Sequence, residues 1–160
     1  MTDVETSATR ELDRLGIAYR LKVQNRPVQS LMEAAEARGL RPEQIVRSLL
    51  FRTENGTFVL VLMPGPTQVD WGKLRRHLGV SRVRTAHPQE VDQVTGYPPG
   101  AVSPFGLKRS PRILADPHIK DHKEISLGAG IKGAGLILSS QAVFEALEPE
   151  LVDLHADPNS

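Results

Sequence analysis

The chain contains no cysteine. That excludes disulfides, thiolate nucleophiles and cysteine-ligated zinc or iron–sulfur centres. Aromatic residues make up only 4% of its 160 positions. This leaves little of the interleaved aromatic surface on which single-stranded nucleic acids stack. Long apolar runs are missing as well. The longest, roughly Phe58 to Met63, suits a strand and falls far short of the roughly 20 residues that a membrane-spanning helix needs. Neither sign of charge dominates: 20 Lys and Arg stand against 19 Asp and Glu, a net +1. The N-terminal stretch MTDVETSATRELDRLG lacks the basic start and apolar centre of a signal peptide. A cytoplasmic protein that engages no membrane is the expectation.

What is present is an ordinary globular composition, 39% hydrophobic and 24% charged, over a length that suits one domain with a sizeable core. Charge is unevenly placed. Residues 1–70 carry 9 basic and 9 acidic side chains, residues 71–132 carry 11 and 5, and residues 133–160 carry 0 and 5. The middle segment, net +6, is a candidate face for a polyanion. A solvated surface is the competing explanation.

Hydrophobic spacing divides the chain into short elements. Val4, Ala8, Leu12 and Leu15 recur at helical spacing before Gly16, and Ile17 to Val23 alternates as a strand does. Ser30 with Glu33 has the spacing of a capping box and opens a helix that stops at Gly39. Val46 to Arg52 and Thr57 to Met63 read as a hairpin around Glu54-Asn55-Gly56. Asp70 starts a helix to Leu78, and Pro88 to Val94 forms another. Strands follow at Arg112–Ala115, Glu124–Leu127 and Gly135–Leu138, then a helix at Gln141–Leu147 and a last strand at Glu150–Leu154. About seven strands and five helices without regular βαβ alternation predict an α+β fold with a mixed sheet.

Chemistry concentrates in loops. Residues 95–106, TGYPPGAVSPFG, hold three glycines and three prolines, which no regular element tolerates. Glycine lets backbone N–H groups approach a ligand, and proline stiffens the loop. Such a loop can cradle a carbonyl or oxyanion; a rigid surface crossover is the competing reading. Gly128-Ala129-Gly130 and Gly133-Ala134-Gly135 form a second glycine-rich region. No long helix follows it, which argues against a dinucleotide site and for a tight turn against a pocket. His118 and His122 are four apart and could share a helix face as zinc ligands. Ile119 stands where the metalloprotease motif has its glutamate, so solvated histidines are preferred. Arg47 at the mouth of a strand could hold a phosphate or polarise a carbonyl.

The order of these pieces resembles one family. The Ser30–Ala35 helix start, IVRSLLFR, FVLVLMPG, VDWGKLRRHLG, AHPQEVDQVTGYPPGAVSPFG, the Asp116 turn and the GAG loop look like the YbaK / prolyl-tRNA synthetase insertion-domain superfamily of aminoacyl-tRNA deacylases. VTGYPPGAVSPFG is the most specific match, to the tGYxxGxxxPxG element, and the likeness covers roughly residues 15–155. It implies a curved, barrel-like mixed sheet surrounded by helices, and trans editing of a mischarged tRNA, with Cys- or Ala-tRNA(Pro) the foremost substrates. The chemistry described for such proteins uses no metal and no cofactor, and is assisted by the substrate's own ribose hydroxyl or thiol. A non-catalytic aminoacyl-tRNA or amino-acid binding module of the same fold is the alternative.

By the same resemblance Arg47, Gly100 and Pro104 take the catalytic positions. Ser48, Ala101, Val102, Ser103, Asp116, Gly128, Ala129 and Gly130 would line the substrate pocket. Lys73, Arg75, Arg76, Lys108 and Arg109 would meet the tRNA acceptor end, with an aminoacyl-tRNA synthetase as a further partner. Two departures stand out. Arg47 occupies a position where lysine is expected, and it keeps the charge without offering a neutral amine. Asn25-Arg26-Pro27 lacks the histidine that many members carry before the proline.

Overall fold

A computed structural model describes residues 4–24 and 30–157. Asn25-Arg26-Pro27, the second departure, lies outside the described residues. Helix α1 spans Ser7–Leu15 and follows a reciprocal cap: Thr9 N–H donates to Thr6 Oγ1 at 3.2 Å and Thr6 N–H donates to Thr9 Oγ1 at 2.8 Å. Its buried face carries Ala8 and Leu12. The remaining elements are β1 (Tyr19–Val23), α2 (Leu31–Arg38), β2 (Val46–Thr53), β3 (Phe58–Pro64), α3 (Trp71–Leu78), β4 (Val83–Thr85) and α4 (Pro88–Thr95). After the long loop come β5 (Arg112–Ala115), β6 (Glu124–Gly128), β7 (Ala134–Ser139), α5 (Ser140–Leu147) and β8 (Glu150–Leu151). Short 3-10 turns occupy Pro42–Gln44 and Pro117–Asp121.

The fold is α+β, as the sequence pattern predicts, but its strands form two sheets. One is antiparallel, in the order β1-β7-β6; the other is mixed, in the order β4-β2-β3-β5-β8. Among the described residues they meet through one bridge, between Ile45 and Ser126. The barrel-like curve is therefore not closed into a barrel. The last expected strand is shorter too. Pairing stops at Leu151, and beyond it the Asp116 carboxylate, through Oδ2, accepts the Leu154 N–H at 3.1 Å.

The continuous apolar run of β3 follows from its central place, with β2 antiparallel on one side and β5 parallel on the other. Leu60 and Leu62 face one core with Phe105, Leu127 and Leu136. Val59, Val61 and Met63 face a second core with Phe51, Leu74 and Leu154. Helix α3 covers the second core. Asp70 caps its start by accepting the Lys73 N–H at 3.0 Å, and Gly79 ends it at φ 67.

One gap in this scheme matters for function. Strand β4 is three residues long and pairs with β2 only at Phe51–Thr53. Ala86 then donates its N–H to Leu50 O at 2.9 Å, and Pro88, which has no N–H, turns the chain into α4. Between the Ile45–Ser126 bridge at its start and Leu50, β2 has no strand on that edge among the described residues.

Candidate functional site

The uncovered edge of β2 borders a cleft of about 370 Å³. Its floor and walls come from Arg47, Ser48 and Leu50 on β2, Gln68 and Val69 before α3, Trp71 at the start of α3, Ala86 and Pro88 before and at the start of α4, Val91 on α4, and Pro99, Gly100 and Val102 on the long loop. In an antiparallel ladder, backbone groups two residues apart point to the same edge. Leu50 O bonds Ala86 on the open side, so the Ser48 N–H and C=O face the cleft. Arg47 is half-buried. Its guanidinium donates to Thr67 O through Nη2, and its Nε has no partner. Burial pushes its pKa down from the usual arginine value.

The loop presents two different sides. Gly100 adopts φ +85, and nothing lies within 4 Å of where a Cβ would stand. Its backbone is thus open to a ligand, and its N–H has no backbone acceptor among the described residues. Ala101 is turned inward: its N–H bonds Pro98 O at 3.1 Å and its C=O accepts the Gly130 N–H at 2.9 Å. Ser103 is fully buried, and its Oγ accepts the Phe105 N–H at 3.2 Å. Pro104 is buried and borders a separate groove with Glu11, Arg14 and Leu15 of α1.

Several expected site residues thus gather at the cleft and others do not. Arg47, Ser48, Gly100 and Val102 line it together. Gly128, Ala129 and Gly130 sit behind the loop. A Cβ on Gly128 would overlap Val102 O, and one on Gly130 would lie 2.8 Å from the Tyr97 ring. Ala129 O accepts a hydrogen bond from Thr6 Oγ1 at 2.8 Å. Asp116 is fully buried next to the last turn of the chain, where its Oδ1 accepts from His118 N at 2.9 Å and pairs with His118 Nδ1 at 2.7 Å. That contact raises the His118 pKa.

The basic residues also separate. Lys73 donates to His155 O at 2.8 Å and lies 3.5 Å from Asp153. Arg75 is half-buried on α3 and Arg76 is exposed. Arg109 borders a different groove, at the turn end of the β2–β3 hairpin, and Lys108 beside it is exposed. His118 and His122 do not form an i, i+4 pair. The segment between them is a 3-10 turn, whose three residues per turn put positions four apart on different faces. His118 instead approaches His155, with ring centroids 5.3 Å apart.

Two residues escaped the sequence reading. Trp71 is 40% exposed at the rim of the cleft, its ring edge-on to Phe51 at 5.3 Å. The signal was available, since it is the only tryptophan and stands at a helix start. Arg38 left no such signal. Its guanidinium donates to Ser126 Oγ at 3.0 Å and Ala134 O at 3.3 Å, lying over Gly135, where a Cβ would collide with it. Burial lowers its pKa as well.

The model of the aminoacyl-tRNA editing domain matches residues 25–146. The multifunctional Ser/Thr-tRNA deacylase ProXp-y of Escherichia coli (strain K12) is 30% identical over 146 residues, which is 89% of this chain and 87% of that protein. A proline–tRNA ligase of Limosilactobacillus fermentum is 34% identical over 105 residues, 63% of this chain; the chain spans only 18% of that ligase. The solved structure of a putative trans-editing enzyme for prolyl tRNA synthetase superposes with a TM-score of 0.87 at 27% identity, covering 97% of this chain and 100% of that one. With its VTGYPPGAVSPFG loop set over an open strand edge, the chain belongs to the aminoacyl-tRNA editing domain family.

Proposed function

We propose that the protein hydrolyses the ester of a mischarged aminoacyl-tRNA in trans, at the cleft between β2, α4 and the Gly100 loop. The observation that carries this reading is the composition of the cleft. Arg47 is the only residue with an ionisable side chain among its described lining, which is otherwise apolar, hydroxylic, amide or backbone. A site without His, Asp, Glu or Lys offers no general base of its own. It suits a reaction in which the substrate supplies the proton acceptor and the protein supplies position and polar backbone.

In this reading the aminoacyl carbonyl lies against the Gly100 N–H. The Ser48 backbone at the open edge of β2 orients the amino-acid moiety. Arg47 holds the negatively charged terminal nucleotide through guanidinium–phosphate contacts, and the exposed Trp71 ring stacks on the terminal base. Water adds to the carbonyl carbon. The bond from that carbon to the ribose oxygen breaks, the ribose oxygen takes up the proton, and the free amino acid leaves. No metal or cofactor is assigned to this step.

Leu50, Val91 and Val102 with Ser48 and Thr85 suit a small uncharged side chain. Cys- and Ala-tRNA(Pro) are the substrates first expected from the sequence. Ser and Thr esters join them because of the name that the E. coli relative carries. Relatives among the proline–tRNA ligases support tRNA(Pro) as the carrier and a synthetase as partner.

The test is a deacylation panel of Cys-, Ala-, Ser-, Thr- and Pro-charged tRNA(Pro), run with the wild type, Arg47→Lys and Arg47→Ala. Hydrolysis of one or two small mischarged species, sparing Pro-tRNA(Pro), is expected. Arg47→Ala should lose at least tenfold in kcat/KM. Binding of charged tRNA without turnover in every variant would replace the deacylase by the binding module, which a guanidinium that transfers no proton equally allows.

A further inference from the structure

We propose that Asp116, His118 and His155 form a binding site for one zinc-class divalent cation, outside the editing cleft, that clamps the C-terminal segment onto the wall of that cleft. One ligand atom from each of the three residues lies within 4.8 Å of the other two. None of the three residues lines the cleft.

Three observations carry the assignment. The donor set is two imidazoles and one carboxylate, which is zinc chemistry and leaves a fourth position for water. His155 Nδ1 is buried and has no hydrogen-bond partner among the described residues. An orphaned ring nitrogen is costly unless something occupies it. Asp116 is fully buried, with its Oδ1 shared between the N–H and Nδ1 of His118.

A tetrahedral zinc holds its donors about 3.3 Å apart, so side-chain rotation must bring the three donors to that spacing. The His118 side chain is 54% exposed, which also leaves the fourth position open to solvent. On binding, the cation takes the place of the proton between His118 Nδ1 and Asp116 Oδ1, and that proton is released to solvent. Lys120 stands in the same 3-10 turn as His118 with its ammonium over the Phe144 ring, and Lys73 approaches from α3. The Lys73 ammonium is spent on His155 O and Asp153.

The consequence is mechanical. Val69, a wall of the cleft, pairs with His155 in an isolated bridge. Asp70 N–H donates to Leu154 O at 2.7 Å, and Ala156 N–H donates to Gln68 O at 3.0 Å. A cation joining His155 to Asp116 at the end of β5 would therefore fix Gln68 and Val69 to the sheet.

The experiment is a zinc and cobalt titration of the metal-free full chain, with His118→Ala, His155→Gln and His122→Ala alongside. The wild type and His122→Ala should retain one zinc per chain through gel filtration, show visible absorption bands with cobalt, and gain at least 3 °C in Tm with zinc, a few-degree shift of the kind one bound ligand gives. His118→Ala and His155→Gln should fold, by circular dichroism, yet lose all three responses. No zinc in the wild type, or equal zinc binding in all four proteins, overturns the site. Deacylation is not the readout, so failure here leaves the editing reading untouched, and the reverse holds too.

Discussion

The two sides of the 97–106 loop use the same residue type for opposite purposes. On the inner side Gly128 has no room for a Cβ, which would meet Val102 O, and Gly130 combines a crowded Cβ position against the Tyr97 ring with a φ of +93. On the outer side Gly100 has open space around it and a φ of +85, so its reason is conformation and access. The inner glycines let the loop sink onto β6 until the Tyr97 hydroxyl bonds Phe105 O and Ala101 O takes the Gly130 N–H. That buried clamp fixes the outer side, where Gly100 lines the cleft with Ser48 of β2 and its N–H has no backbone acceptor among the described residues. Rigidity on one face is the condition for exposure on the other.

Substitution separates the two most sharply at Gly128. Gly128→Ala forces the Val102 carbonyl out of its place, and because the atoms met, Val102 O and C, belong to the backbone, they cannot give cheaply. We expect a loss of about 3 kcal/mol or more, as for severe overpacking, or roughly 10 °C in Tm for a chain of this size. Thermal melting checks it. A stable, fully active Gly128→Ala protein would show that the loop does not depend on its buried face.

The difference between the two faces also marks what could be read from the sequence. The hairpin, the helix starts at Ser30 and Asp70 and the glycine–proline loop follow from local chemistry, and each stands where the pattern puts it, within a few residues. The gathering of Arg47, Ser48, Gly100 and Val102 at one cleft was legible only through the family resemblance, because it joins residues some 50 positions apart. The placement of Gly128 and Gly130 behind the loop was not legible at all. A glycine demanded by a neighbour's backbone and one demanded by its own φ look alike in a sequence. Likewise His118 was visible as a candidate ligand, but helical spacing pointed to His122, and the 3-10 turn together with the return of the tail brings His155 instead. The division into two sheets escaped for a similar reason, since it rests on one bridge at Ile45.

At Gly100 the expected balance is reversed. Alanine there meets no atom but must hold a left-handed backbone, a cost of about 1 kcal/mol, or roughly 3 °C in Tm. Its effect on activity should be larger than its effect on stability. In the proposed reaction a loop shifted by a fraction of an ångström would misplace the Gly100 N–H relative to the ester carbonyl, so kcat should fall at least tenfold with KM little changed. Paired melting and deacylation curves for Gly100→Ala and Gly128→Ala give the contrast directly. If Gly100→Ala loses stability and activity in the same proportion as Gly128→Ala, the outer face is only another part of the clamp.

The smallest effect concerns the wall opposite the loop. Helix α4 carries Val91 into the cleft and is pinned by Glu90, which accepts from Arg84 at 2.7 and 3.0 Å, from Arg52 at 2.6 Å and from the His87 N–H at 2.8 Å. These partners, with Arg84 foremost, hold its carboxyl well below the usual value of 4.5. A carboxyl with a depressed folded pKa stabilises the fold fully at pH above its unfolded value and loses that contribution as pH falls below it. Stability should thus decline through pH 4.5 and downward more steeply in the wild type than in Glu90→Gln, and the two curves should converge in acid. Because the guanidinium groups of Arg52 and Arg84 are partly exposed, at 41% each, salt should shrink the difference near neutral pH. Glu90→Gln loosens the α4 wall, so KM should rise while the Gly128 clamp, and with it most of the melting temperature, stays as it was. An unchanged KM alongside a large fall in Tm would place Glu90 with the buried clamp and not with the open face.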